Sequence, residues 1–440
     1  MVDFRKTSGL TVARIGKAFS STKSLSPFLL AWHLWKKDAL GDFDPYSMVS
    51  SAAAYLVRHG PATQQERWEE NSGYSPSTLA AGIAALVCAA DFAGARGKHD
   101  DATFLQDYAD FLESHLESWT VTTDGSLVPG VKRHYIRIHP AAVGDASANE
   151  DPNHGLLTIH NRPPGLPWQF PAKDIADGGF LELVRYGVRK PGDPLVEDSL
   201  RVVDAVLKVN TPFGPCWRRY SHDGYGPQPD GGPFAGWGQG RAWPLLTGER
   251  AHYEFAAGRD VRNLIRAMEH FAFRGRMLPE QVWDSPDVKS AGMYFGQPAG
   301  SAMPLMWAHA EYVKLLRSVV DGRVFDLIPV VAERYLEKRG RTDLEVWKPT
   351  RHVREVTAGQ VLRIQAPDSF RLHWTNDGWV SASDTPSTPT GLGIDFADIV
   401  IHDNQRAPVE FTFFWTAYNR WEGHNYRVGV QLKHANSVAA

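Results

Sequence analysis

Cysteine is nearly absent. Cys88 and Cys216 are the only two in 440 residues, too few for a disulfide framework. No continuous apolar run approaches the ~18 residues of a membrane span, so no membrane partner is expected. The N-terminus carries basic residues but lacks the apolar stretch of a signal peptide, and the chain as written reads as cytoplasmic. An excess of one charge is missing too. With 47 Lys and Arg against 50 Asp and Glu, the net charge is −3. No basic surplus exists to hold a phosphate backbone, so nucleic acid is not an expected partner. Hydrophobic residues at 43% and charged residues at 22% exclude a disordered chain. Tryptophan, in contrast, is abundant, with 15 residues. Such rings fill cores, and they also give flat faces on which sugar rings stack.

Helical periodicity dominates residues 27–335. Ser26-Pro27, Asp44-Pro45 and Ser75-Pro76 each read as an N-cap followed by proline at the first helical position. These open helices that end near Gly41, His59 and Ala93. Further helices are expected near 101–118, 179–187, 196–209, 240–257, 259–273 and 301–319, with a short one near 326–335. Residues 119–175 and 211–238 are rich in Gly, Pro, His and Asp and read as long irregular excursions, which in a compact domain usually serve a function. Beyond residue 341, short β-branched and aromatic runs bounded by turn residues predict a small antiparallel β unit. Asn376-Asp377-Gly378 and Asp384-Thr385-Pro386 are its expected turns.

Four segments carry polar groups with chemical potential. The first is Gln64–Tyr74, where Glu66, Glu69 and Glu70 crowd around Trp68 between two helices. Burying such carboxylates is costly. The plain alternative is a solvated acidic turn before a helix N-terminus. The second is Leu278–Asp284, with Glu280 again between helices. Two Trp-flanked glutamates on loops of a helical array suggest glycoside hydrolysis, which needs one carboxyl to protonate the leaving oxygen and a second to activate water or attack carbon. The third, Trp217–Tyr225, combines Arg219 and Asp223 with aromatics, a set that suits sugar hydroxyls or a loop held by an ion pair. The fourth, Gly236–Leu245, has glycines but no following Lys-Ser/Thr, so it is not a phosphate loop. The spacing of His134, His139, His154 and His160 matches no usual zinc pattern, and no metal is expected.

Arg67-Trp68-Glu69-Glu70-Asn71-Ser72-Gly73, the run Gly236–Arg250 and Leu278-Pro279-Glu280-Gln281 resemble glycoside hydrolase family 15, in its bacterial glucoamylase and glucodextranase branch. The resemblance covers most of residues 25–335. It implies a mainly α fold, an (α/α)6 barrel of six inner and six outer helices with the active site in loops at one end. It also implies an inverting exo-hydrolase that releases β-D-glucose from non-reducing ends of α-glucans, without a cofactor. By the same resemblance Glu69 is the general acid and Glu280 the general base. Glu70 bonds the sugar beyond the cleaved linkage, and Arg67, Trp68, Arg219, Trp243 and Trp307 contact substrate. Inversion then requires the two carboxyls about 6.5–9.5 Å apart, with room for one water.

The sequence departs from the family at its start. No Arg-Asp pair of the kind that grips the terminal glucose is present, and roughly nine sizeable helices stand against twelve. The barrel is therefore expected to be incomplete at the N-terminus. Residues 1–25 form an atypical segment, 26–340 a partial catalytic domain and 341–440 the β unit. Codons for residues 10–25 can be chosen so that the same bases, read two positions later, give DGSPYWKGIQLDEVS, which is similar to the family's sequence at this place. Out-of-frame translation of the segment is the expectation. A truncated, impaired fragment and α-1,6 or trehalose specificity stand as alternatives. The β unit reads as a structural lid more readily than as a carbohydrate-binding module, and a monomer is expected.

Overall fold

The computed structural model describes residues 21–142 and 144–433. Helices α1 (Ser21–Lys36), α2 (Tyr46–His59), α3 (Pro76–Gly94) and α4 (His99–Thr120) open the chain. After a long excursion come α5 (Leu181–Tyr186), α6 (Pro194–Val206), α7 (Pro244–Ala256), α8 (Arg262–Phe271), α9 (Met306–Asp321) and the short α10 (Pro329–Ala332). Helix α3 is the hub, packed against α1, α2, α4 and α5, while α7 packs against α5, α8 and α9. Its Ala-rich sequence explains this position, because small side chains let four neighbours approach closely. Nearly all of α3 is buried, including Ile83, Leu86, Cys88 and Phe92. It corrects one expectation: α3 is long and apolar enough to cross a membrane, yet 89% of that stretch lies inside the protein.

Several boundaries differ from the sequence reading. α1 does not start at Ser26-Pro27; it begins at Ser21 and contains Pro27. The proline costs one main-chain bond, and the burial of Phe28, Leu29, Ala31 and Trp32 beyond it outweighs that loss. Pro45 is itself the cap residue of α2, and Asp44 accepts a bond from the Tyr46 N–H at 3.0 Å. The expected helices at 196–209 and 240–257 each contain a strand: β5 (Lys208–Thr211) follows α6, and β7 (Ala242–Trp243) precedes α7. With β6 (Gly214–Arg218) they make a sheet of order β5-β6-β7. The 119–175 excursion folds into two small hairpins, β1 (Val121–Thr122) with β2 (His134–Tyr135) and β3 (Leu156–Thr158) with β4 (Gln169–Pro171). Of the atypical segment, residues 1–20 lie outside the described residues, whereas 21–25 belong to α1.

The C-terminal unit is a sandwich of two sheets. One has the order β13 (Thr388–Pro389), β14 (Asp395–Val400), β10 (Val361–Ala366), β8 (Leu344–Trp347). The other runs β12 (Ser383–Pro386), β11 (Phe370–Thr375), β15 (Val409–Trp415), β17 (Tyr426–Gln431), β9 (Glu355–Thr357), with β16 (Arg420–Trp421) on β15. It is not purely antiparallel: β8 pairs parallel to β10, and β9 parallel to β17. Asp384-Thr385-Pro386 is an edge strand rather than a turn, where a proline is tolerated. Leu362, Ile364, Phe370, Leu372, Phe411 and Phe413 fill the space between the sheets.

The sandwich is not an appendage. Leu344, Val346, Leu392 and Ile394 belong to the core of the helical body. Arg363 bridges Asp398 and, at 3.2 Å, Asp107 on α4. Asp101 accepts a bond from the Gly391 N–H at 2.7 Å.

Candidate active site

Residues 61–75, between α2 and α3, form a closed loop. Thr63 and Gly73 exchange main-chain bonds of 2.7 and 2.9 Å across its neck. Gly73 has φ +146, and a Cβ there would stand 2.1 Å from the His139 carbonyl oxygen, so only glycine fits this approach. Within the loop, the buried Glu66 carboxylate accepts the Trp68 N–H at 2.8 Å and pairs with Arg137 at 2.7 Å. The Glu69 N–H donates to the Glu66 carbonyl at 2.8 Å. Glu69 takes φ +62, an uncommon backbone state for a residue with a side chain, and stands exposed at the turn. Glu70 turns the other way. It accepts bonds from Arg219 at 2.9 Å and Arg137 at 3.0 Å, and Tyr220 donates its hydroxyl to it. The solvated-turn reading therefore fails for Glu66 and Glu70, which sit among cations.

Arg219 links this loop to the next. Asp223 clamps it at 2.7 and 2.8 Å, and its guanidinium lies 5.1 Å from the Trp68 ring, 4.8 Å from Tyr225 and 5.6 Å from Trp243. Gly240 packs directly on Asp223, where a Cβ would clash at 2.7 Å. Trp68 stands 5.5 Å from Trp243 and 5.8 Å from Trp307, ring centre to ring centre. Trp68 and Trp243 are buried, but Trp307 remains 42% exposed at the start of α9 and presents an open aromatic face. The Tyr225 hydroxyl reaches the Glu280 carboxylate at 3.5 Å. Glu280 is half-buried on the connection between α8 and α9, with its N–H bonded to Ala302 at 2.8 Å. Burial pushes its pKa above the ordinary carboxylate range, and nearby Arg219 opposes that shift only in part.

Under the aromatic rings lies a buried ionic layer. Arg67 bonds Glu249 at 2.5 Å and lies 3.7 Å from Glu182, with its guanidinium 4.6 Å from the Trp68 ring. It packs against Trp68, with Nη2 bonded to Glu249. Asp177 accepts the Trp68 indole N–H at 2.5 Å and caps the short 3-10 turn before α5.

The family profile of glycosyl hydrolases family 15 matches residues 36–317. The chain belongs to that family. It is 41% identical over 312 residues to a glucoamylase of Clostridium sp. (strain G0005), covering 71% of this chain and 41% of the relative. It also resembles the crystal structure of a bacterial glucoamylase complexed with acarbose, with a TM-score of 0.63 and 40% identity over 71% of this chain and 42% of that one. The chain thus spans about two fifths of the length of these relatives.

In this family 15 chain, the three segments quoted from the sequence meet. Arg67, Trp68, Glu70, Arg219, Trp243 and Trp307 form one connected cluster, Glu280 joins it through Tyr225, and Glu69 sits on the same turn as Trp68 and Glu70. Sequence reasoning missed Arg137 and Asp177 as partners of these groups, while Tyr225 falls within the quoted Trp217–Tyr225 segment without a role of its own. Arg137 lies in Tyr135–His139, an alternating run inside a segment read as irregular, and alternation was the signal available. Asp177 has no local pattern that marks it.

Proposed function

We propose that the chain carries the catalytic centre of an inverting, exo-acting glucoamylase-like hydrolase that releases β-D-glucose from the non-reducing ends of α-glucans. The observation that carries this reading is the convergence of Glu70 and Glu280 on a cluster of Trp68, Trp243, Trp307, Arg219 and Tyr225, with Glu69 on the same turn as Trp68 and Glu70. Exposed Glu69 protonates the glycosidic oxygen. Glu280 takes a proton from a water that attacks the anomeric carbon on the opposite face, so the α-linkage yields the β-sugar. Partial burial makes Glu280 the stronger base once ionised. Trp307 offers a stacking face, and the Glu70–Arg219–Asp223 array offers hydrogen-bonding groups to sugar hydroxyls. The acarbose complex of a similar bacterial glucoamylase supports an oligosaccharide-like ligand. Glu69→Gln and Glu280→Gln are each expected to cut turnover of maltoheptaose at least ~10³-fold. Wild-type-like turnover in either would refute the assignment.

At the level of fold, residues 26–340 form a partial (α/α)6 barrel, with the β unit of 341–440 packed against it. One observation favours the second reading, a catalytically impaired fragment of a longer enzyme. Met306, Val313 and Val320 repeat at helical spacing on α9 and are 73%, 62% and 78% exposed, an apolar stripe of the kind normally covered.

A further inference from the structure

The sandwich begins beyond residue 317, where the family match ends. One turn of it, residues 348–352, enters the helical body at both ends of the loop that carries Glu69 and Glu70. Lys348 and Arg351 face each other across this turn, joined by main-chain bonds of 3.1 and 2.8 Å. The Lys348 side chain is buried. It donates to the Val57 carbonyl at 2.7 Å, to the Gly60 carbonyl and to the Tyr108 hydroxyl at 3.1 Å. Gly60 is where α2 stops and the loop begins. The Arg351 guanidinium, also buried, bonds both Glu150 oxygens at 2.7 and 3.0 Å, the Glu345 carboxylate at 2.7 Å and the Val346 carbonyl at 2.8 Å. Glu150 in turn accepts the Tyr74 hydroxyl at 2.7 Å. Tyr74 is where the loop ends, one residue before the cap of α3, and its main chain is bridged to His139.

We propose that the 348–352 turn is a positioning device for the 61–75 loop: Lys348 holds the loop where it leaves α2, and Arg351, acting through Glu150 and Tyr74, holds it where it enters α3. Between these anchors, Glu69 keeps a left-handed backbone that the loop's own residues must be held in place to maintain. A buried amine among neutral oxygens is costly compared with an apolar side chain of the same length, and burial, with Arg351 nearby, pushes the Lys348 pKa well down from its ordinary value. Methionine would fill the same space, so the side-chain nitrogen serves the Gly60 carbonyl rather than packing. Arg351 likewise uses the N–H edges of its guanidinium to join the sandwich carboxylate Glu345 to the body carboxylate Glu150. The sandwich thereby sets the placement of two of the three glutamates named above. The catalytic meaning rests on the functional reading, but the mechanical part does not.

The test uses the full chain, with Lys348→Met and Tyr74→Phe as loop variants and Arg363→Lys as the control. Arg363 ties the sandwich to α4 without reaching the loop. Hydrogen exchange is followed by mass spectrometry, with kcat and KM on maltoheptaose alongside. In both loop variants the amides of 61–75 are expected to exchange about tenfold faster while those of α3 and α4 do not change. kcat is expected to fall about tenfold with KM within about twofold. Arg363→Lys leaves loop exchange as in the wild type. Should Lys348→Met fail to fold, Tyr74→Phe removes one hydroxyl and decides alone. Unchanged loop exchange in Tyr74→Phe overturns the proposal, as does equal loosening of loop and helices or equal loosening in the control. If the loop loosens selectively and no form of the chain hydrolyses maltoheptaose, the positioning device stands and the functional reading falls.

Discussion

Glu280 and Glu70 show how neighbours set the work of a carboxylate. Glu70 lies between Arg219 and Arg137 and is committed to holding cations in place. Glu280 is half-buried, meets no cation directly among the described residues, and has its pKa raised by that burial. Tyr225, which donates its hydroxyl to it, favours the ionised form and so pulls the pKa down. Tyr225→Phe removes that pull. A base must be ionised to accept a proton, so the acidic limb of the kcat/KM profile is expected to move to higher pH in this variant. An acidic limb that stays in place or moves down would show that Glu280 does not govern it.

The helices meet below the site in a layer whose charges do not balance. Glu182 on α5 lies between Ser77 of α3, which donates at 3.2 Å, and Arg67, with Glu249 of α7 close by. Burial is the largest influence on it and Arg67 opposes; the net result is a pKa pushed up to about 7 from the usual 4.5. The folded state therefore holds an extra proton between those values, and stability falls as pH rises through that window. Glu182→Gln is expected to gain on the wild type from pH 4.5 to pH 8, by up to about 3 kcal/mol in denaturant titrations at the two pH values. A difference independent of pH would contradict this. The elements that form this layer were largely legible in the sequence. Pro76, Gly60-Pro61 and the Ala-rich run after Ser75 mark α2 and α3 through strictly local rules. Pro27 and Trp243 were misread because distant contacts overrule local preference there: buried aromatics carry α1 through its proline, and pairing with β6 draws Ala242-Trp243 out of the helix. Of the site, the glutamates and tryptophans were legible as motifs. Arg137 and Asp177 were not, because their roles come from side chains far away in sequence, Glu66 at 71 and Trp68 at 109 positions.

The whole molecule couples its two parts through shared core and shared ions. Leu344 of β8 is 4% exposed and packs in the core of the helical body. Body and sandwich should therefore unfold together. Leu344→Ala is expected to cost about 2–5 kcal/mol and to shift one calorimetric transition as a whole; two transitions, with only one displaced, would contradict a common core. The same coupling gives the 348–352 turn its grip on the loop of Glu69.

The most direct test of the account follows the anomer of the first sugar released from maltoheptaose by proton NMR, with purified wild-type chain beside Glu280→Gln. β-Glucose is expected as the first product of the wild type, before mutarotation, and none from the variant. α-Glucose, or oligosaccharides from internal cleavage, would contradict an inverting exo-hydrolase built on Glu69 and Glu280.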